Sequence, residues 1–214
     1  VIQIANEKLG FTVNINSYYK LCDFKPTYGF LFPDLIEGYD YWGFGDIDVI
    51  FGDVRNFMTY EILDEYDLIC LRHDFLTGYF TLMRNCKAMN NLFKESKDYK
   101  RVLSESRHYC FDETNFEWES FAEGLHFSQI QSDIESMTHV VKKMHEMKLI
   151  NAHFDFCVIE GTPGRIKWDK GRLIYKNRYE AILYHLVRLK TIYKPQKQIS
   201  KVPDNFSISS TRIY

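Results

Sequence analysis

The 214-residue sequence predicts an α/β fold, and three observations carry that expectation. Short apolar runs of strand length recur at 39–44, 67–71 and 78–83. They alternate with segments that read as helices, the order expected of an α/β domain. The clearest of those segments spans 128–149, where Ile130, Ile134, Met137, Val141 and Met144 recur at steps of three and four residues and mark one continuous face.

Each element follows from local chemistry. Residues 2–9 read as a helix closed by Gly10, the residue type best suited to a left-handed C-cap. A short strand is expected over 11–15. Residues 19–32 read as two helical pieces, with Pro26 in the first turn of the second, where its missing N–H costs nothing. The strand 39–44 leads into Asp46-Ile47-Asp48, and a short helix follows at 57–66. Beyond the strands 67–71 and 78–83 come a helix from Asn85 to Phe93 and a mixed, charged stretch over 94–112. The long helix 128–149 carries His139 and His145 on its polar face. Strands near 155–159 and 165–168 precede a hairpin at Asp169-Lys170-Gly171 with its return strand at 172–175. A last helix is expected over 179–190. The expected organisation is one domain over 1–193 and a polar, loosely docked tail over 194–214 that contains Pro195 and Pro203.

Composition narrows the class. Apolar residues make up 45% and charged residues 26%, as in an ordinary globular domain. A net charge of -2 gives no general attraction to nucleic acid or to anionic membranes. The five cysteines at 22, 70, 86, 110 and 157 form no Cys-x-x-Cys pair, which argues against structural zinc and for reduced thiols in a cytoplasmic protein. No run of 18 or more apolar residues exists to span a membrane, and no secretory signal opens the chain. The chain enters its first helix directly from Val1, with no nucleotide-binding strand ahead of it. The expectation is therefore a domain truncated at its N-terminus.

The most informative segment is Tyr41-Trp42-Gly43-Phe44-Gly45-Asp46-Ile47-Asp48-Val49-Ile50-Phe51-Gly52-Asp53. Two carboxylates one residue apart interrupt an aromatic and apolar run. Such groups are tolerated at a strand end when something cationic meets them. A divalent metal suits them, because hard cations take carboxylate oxygens and leave positions open for phosphate. A plain turn is the competing reading, since Gly and Asp both favour turns. Asp53 reads as the N-cap of the next helix. Tyr39, Tyr41, Trp42 and Phe44 read as core rather than as a sugar platform.

Three segments together carry a family resemblance: 19–29 (YKLCDFKPTYG), 38–48 (GYDYWGFGDID) and 78–85 (GYFTLMRN). They resemble the GT-A-like glycosyltransferases found among bacterial polysaccharide and capsule biosynthesis proteins, over about residues 1–190. The resemblance implies a GT-A-like mixed sheet flanked by helices, here without the family's N-terminal nucleotide-fold segment. It implies Mn²⁺ or Mg²⁺ as cofactor, a nucleotide-sugar donor, and a glycan or lipid-linked acceptor. It further implies that Asp48 is the main metal ligand and that Asp46 contacts donor and metal. His185 would close the metal site, with Lys190 or Arg188 as a cation for the departing diphosphate. On the helix expected over 179–190, His185 and Arg188 would occupy adjacent turns of one face.

Other candidates are less specific. Asp112 and Glu113 follow the apolar Tyr109-Cys110 and are candidates for the carboxylate that removes the acceptor's hydroxyl proton; an N-cap is the competing reading of one of them. Lys20 and Lys25 are candidates for phosphate contacts, with Asp23 holding one in place; a surface ion pair is the competing reading. His153 and Asp155 lack a third ligand in sequence. Two rival functions stand beside the glycosyltransferase. One is a catalytically inactive sugar-binding or scaffolding module. The other is a nucleotidyltransferase, which calls for a Gly-Ser element and a third carboxylate on a neighbouring strand. The expected location is the cytoplasm, with peripheral association at the inner face of the membrane.

Overall fold

The computed structural model describes residues 1–155, 157–194 and 201–214. It is a mixed α/β protein, as its sequence predicts, and it divides into two compact units. The first unit comprises 1–45 and 65–155; the second comprises 46–64 and 156–214. The strands are β1 (Tyr41–Gly45), β2 (Val49–Phe51), β3 (Leu68–Cys70), β4 (Phe80–Arg84), β5 (Ala152–Phe154) and β6 (Val158–Ile159), then β7 (Ile166–Asp169), β8 (Arg172–Tyr175), β9 (Tyr179–Ala181), β10 (Leu183–His185) and β11 (Asn205–Ile208).

In the first unit a sheet runs in the order β1-β4-β3-β5. Its first two pairings are antiparallel and β3 pairs β5 in parallel. Trp42, Phe44, Leu68, Met83 and Ala152 from this sheet join Phe24, Phe93, Val102, Phe111 and Val141 in one core. Gly29 permits that packing: a Cβ there would lie 2.4 Å from the Trp42 ring. The helix Ile2–Leu9 ends as expected, with Gly10 at φ 76° and its N–H on the Asn6 carbonyl. The strand expected at 11–15 does not form. Val13 N–H is taken by the Asn6 side chain and Asn14 N–H by the Leu103 carbonyl, so the segment's donors pair outside any sheet. Residues Tyr19–Thr27 form a 3₁₀ segment that contains Pro26, and a single α-turn, Tyr28–Leu31, follows.

The long helix is shorter than its periodicity suggests and covers only Met137–Glu146. Upstream, the Asn115 side chain accepts from Asp133 and Ile134 N–H, and the Asp98 carboxylate accepts from Glu135 N–H. Those contacts hold 133–135 out of the helix. Its buried face includes His139, so that residue is not on a polar face; its Nδ1 lies 2.8 Å from Ser136 Oγ.

The second unit holds two small sheets. One runs β2-β10-β6, with β10 antiparallel to β2 and parallel to β6. The other is an antiparallel meander with an added edge, β11-β7-β8-β9. The hairpin and return strand fall where the sequence puts them, with Lys170 and Gly171 both at positive φ. Ile159, Ile166, Leu173, Ala181, Tyr184, Leu189 and Ile208 form this unit's core. Two expectations are corrected here. Residues 179–190 are not a helix: β9 and β10 occupy half of that span, and only a single turn, Leu189–Ile192, is helical. Likewise, 205–208 is no loose tail but a strand paired with β7, whereas Pro195 lies outside the described residues. Among the described residues no helix is long and apolar enough to cross a membrane.

Candidate functional site

The second unit brings Asp46, Asp48 and His185 together. The bend between β1 and β2 leaves both carboxylates half-buried and turns Ile47, between them, fully into solvent. β2 begins at Val49, which pairs with His185 on β10, and Leu186 N–H donates to the Asp48 carbonyl at 2.9 Å. The backbone ladder therefore sets the imidazole beside the two aspartates. His185 Nε2 lies 3.7 Å from Asp48 Oδ2 and 3.9 Å from Asp46 Oδ2. One ligand atom from each of the three residues lies within 4.8 Å of the others. These separations are too long for hydrogen bonds. Two carboxylates and an imidazole form a donor set suited to Mn²⁺ or a similar divalent ion.

A cation of the protein's own already touches this cluster. Lys190 Nζ donates to Asp48 Oδ2 at 2.6 Å. Burial raises the Asp48 carboxyl, but the Lys190 hydrogen bond and charge, helped by His185, outweigh it and hold the group below its ordinary value. The Lys190 N–H bonds to the Leu186 carbonyl at 2.9 Å, and Leu186 N–H holds the Asp48 carbonyl, so the turn that carries the lysine is tied to the aspartate's own backbone. Arg188 does not share a helical face with His185, because His185 ends a strand and Arg188 precedes the helical turn.

Sequence reasoning missed Glu160. It follows β6, which pairs in parallel with β10, and its Oε1 lies 3.9 Å from His185 Nδ1. The imidazole thus faces carboxylates across both nitrogens. The missed signal is the one used for Asp46, a carboxylate directly after an apolar strand, here Val158-Ile159-Glu160 followed by Gly161. Glu160 also lines a cavity of about 420 Å³ together with Cys157, Ile159, Pro163, Tyr175 and Tyr179. Asp53 caps the helix Val54–Phe57 by accepting from Asn56 N–H, as predicted.

The remaining candidates lie in the first unit, and its interior engages them. Lys20 is fully buried, and its ammonium donates to the Asp23 carboxylate and to the Val102 and Arg107 carbonyls. Its three protons are engaged, so the phosphate contact expected of it is corrected. Lys25 is buried against Asp112 at 3.2 Å and donates to the Gly78 carbonyl at 2.8 Å, which likewise corrects its phosphate role. Asp23 accepts from Tyr109 and Phe111 N–H and faces His108 at 3.2 Å. Burial raises the Asp23 carboxyl, yet these donors and Lys20 bring it below its ordinary value.

Asp112 is buried, and burial foremost pushes its carboxyl well above the ordinary range. The charges of Glu113 and Asp23 add to that rise, against the pull of Lys25. Glu113 accepts from Gly78 N–H at 2.6 Å and from Trp118 Nε1 at 2.7 Å, with the Cys110 thiol at 3.5 Å. A Cβ on Gly78 would lie 2.4 Å from Asp112 Oδ2, so only glycine fits under this cluster. His145 Nδ1 accepts from Ala152 N–H, and the His153 ring meets the edge of Tyr66. All five cysteines are free thiols.

Fold and site together describe a mixed α/β protein with an Asp-Asp-His cluster at strand ends. The whole chain, residues 1–214, matches the model of DUF6625, a family of unknown function, and the protein belongs to that family. No curated protein and no solved structure matches the chain.

Proposed function

We propose that the protein is a metal-dependent glycosyltransferase of the GT-A type. It would transfer a sugar from a nucleoside-diphosphate donor to a hydroxyl of a glycan or lipid-linked acceptor in surface-polysaccharide synthesis, in the cytoplasm at the inner face of the membrane. The carrying observation is the convergence of Asp46, Asp48 and His185 within 4.8 Å, from two segments far apart in sequence. The resemblance of 19–29, 38–48 and 78–85 to bacterial GT-A-like enzymes supports the same reading. A divalent metal held by the Asp-Asp-His cluster would supply positive charge to offset that of the leaving nucleotide. In this reading Asp48 and Asp46 supply oxygens and His185 supplies Nε2. Glu160 faces Nδ1 from 3.9 Å, on the side of the ring away from the aspartates. Lys190 supplies positive charge for the diphosphate. The acceptor-side role of Asp112 and Glu113 has less support, because Lys25, Gly78, Trp118 and Cys110 already engage both carboxylates.

One observation bears on the nucleotidyltransferase alternative. Glu160 is a third carboxylate, placed directly after the neighbouring strand β6. It meets the imidazole from the nitrogen opposite the aspartates, however, and so does not converge on the same cation position. That favours a single-metal site.

The test is Mn²⁺ titration of the wild type against Asp48→Asn and His185→Ala, followed by nucleoside-diphosphate release from a panel of nucleotide sugars. Loss of a ligand is expected to weaken Mn²⁺ by more than about tenfold, since changes one shell further out already cost about 10–100-fold. Unchanged affinity in both variants would sink the metal site and the reading with it.

A further inference from the structure

We infer that Lys190 is a resident counter-cation: it occupies Asp48 in the free protein and gives way to the metal when a diphosphate arrives to receive it. The inference rests on the metal-dependent reading above and adds to it an order of events.

The geometry supplies the argument. Asp48 Oδ2 lies 3.7 Å from His185 Nε2, closer than Asp46 Oδ2 at 3.9 Å, and it is also the atom that accepts from Lys190 at 2.6 Å. One oxygen thus serves both the candidate metal cluster and the lysine. A divalent ion drawn to Asp46, Asp48 and His185 meets the ammonium at that oxygen. Two cations sharing one carboxylate oxygen at contact distance repel, and the dielectric near a protein surface screens them only in part. Entry of the metal therefore competes with the lysine.

The lysine is built to yield. Its side chain is about half exposed, so the ammonium regains water when it leaves. Its backbone stays fixed, because Lys190 N–H bonds to Leu186 O and Leu186 N–H bonds to Asp48 O. The four-carbon stem alone has to rotate, and a flexible ammonium suits that task better than a planar guanidinium. A diphosphate bound at the metal offers the displaced ammonium a new anion within reach. Metal and diphosphate then bind with positive cooperativity, since each relieves a cost the other meets alone. The arrangement also keeps Asp48 partly neutralised when no metal is bound.

The test uses the full chain and reads bound Mn²⁺ by loss of the free-ion electron paramagnetic resonance signal, with uridine diphosphate as the diphosphate probe. Lys190→Gln removes the charge, and Lys190→Arg keeps it. Without nucleotide, Lys190→Gln is expected to bind Mn²⁺ about two- to fivefold more tightly than the wild type, the fold-change that matches loss of one exposed charge contact. Lys190→Arg, whose planar fork yields less readily, is expected to bind Mn²⁺ no more tightly than the wild type. With uridine diphosphate, the gain in Mn²⁺ affinity is expected to be larger in the wild type than in Lys190→Gln. Equal Mn²⁺ affinity in wild type and Lys190→Gln, with Asp48→Asn still weakened, would overturn the inference and leave the metal site standing. Failure of every variant and the wild type to bind Mn²⁺ would overturn both. Thermal melting of each variant checks that the fold is intact.

Discussion

The two units use nearly the same side chains to opposite ends. In the first, Lys20, Asp23, Lys25, Asp112 and Glu113 sit in the interior and close on one another and on backbone groups. In the second, Asp46, Asp48 and Lys190 keep their polar atoms partly in water, beside a buried His185 at the end of β10. A buried charge must find its partners within the protein. A half-exposed one can leave a coordination position to something that comes from solution. The difference between a structural and a functional carboxylate here is burial and closure rather than residue type.

The comparison breaks most easily at Asp23. Its carboxylate serves Lys20, His108 and two backbone N–H groups with no exposure to solvent. Asp23→Ala would leave Lys20 buried without its counter-charge, and a loss of about 3–5 kcal/mol in denaturant unfolding is expected. A loss below about 1 kcal/mol would show that the first unit's cluster is not closed in the sense argued.

Asp112 sharpens the comparison through pH. Its folded-state carboxyl is raised, chiefly by burial. A raised carboxyl contributes stability below the unfolded value of about 3.9 and loses it as pH rises through the folded value. The stability of Asp112→Asn relative to wild type should therefore increase with pH above about 4, by up to about 1.4 kcal/mol per pH unit. A flat difference curve would mean that Lys25 holds the carboxylate ionised throughout. Asp48 has the opposite sign: its carboxyl is lowered, so its contribution is present above about 3.9 and fades as pH falls. Its partner is half exposed, so the smallest effect is expected there. Asp48→Asn should change unfolding stability by less than about 1 kcal/mol while still weakening Mn²⁺. A large loss of stability would place Asp48 with the structural group instead.

Much of this was legible in the sequence, and the failures have physical causes. Asp46 and Asp48 stand out because charge at the end of an apolar run needs a cation. The sequence groups His185 with the aspartates but on a helix, where the structure has the strand β10. The run Ile182-Leu183-Tyr184-His185-Leu186-Val187 is apolar at both helical and strand periods, and periodicity alone does not separate a short buried strand from a helix. Glu160 carries the same strand-end signal as Asp46 but lacks a second carboxylate beside it. The sequence offers Lys20 and Lys25 as phosphate contacts or a surface ion pair because burial of a lysine depends on acceptors such as Val102, Arg107 and Gly78, far along the chain. The helix over 128–149 was overextended because Asn115 and Asp98, which cap off its upstream half, are equally remote.

The second unit is assembled from two pieces of chain, 46–64 and 156–214, with all of 65–155 between them. β2 finds its partner β10 only when the last third of the polypeptide exists. During synthesis the Asp46–Asp48 bend therefore leaves the ribosome long before His185 does. The entropy of closing so long a loop grows only with the logarithm of its length, but pairing of that kind is slow. A nascent chain halted between residues 155 and 183 would carry both aspartates and none of the strand that turns them into a site.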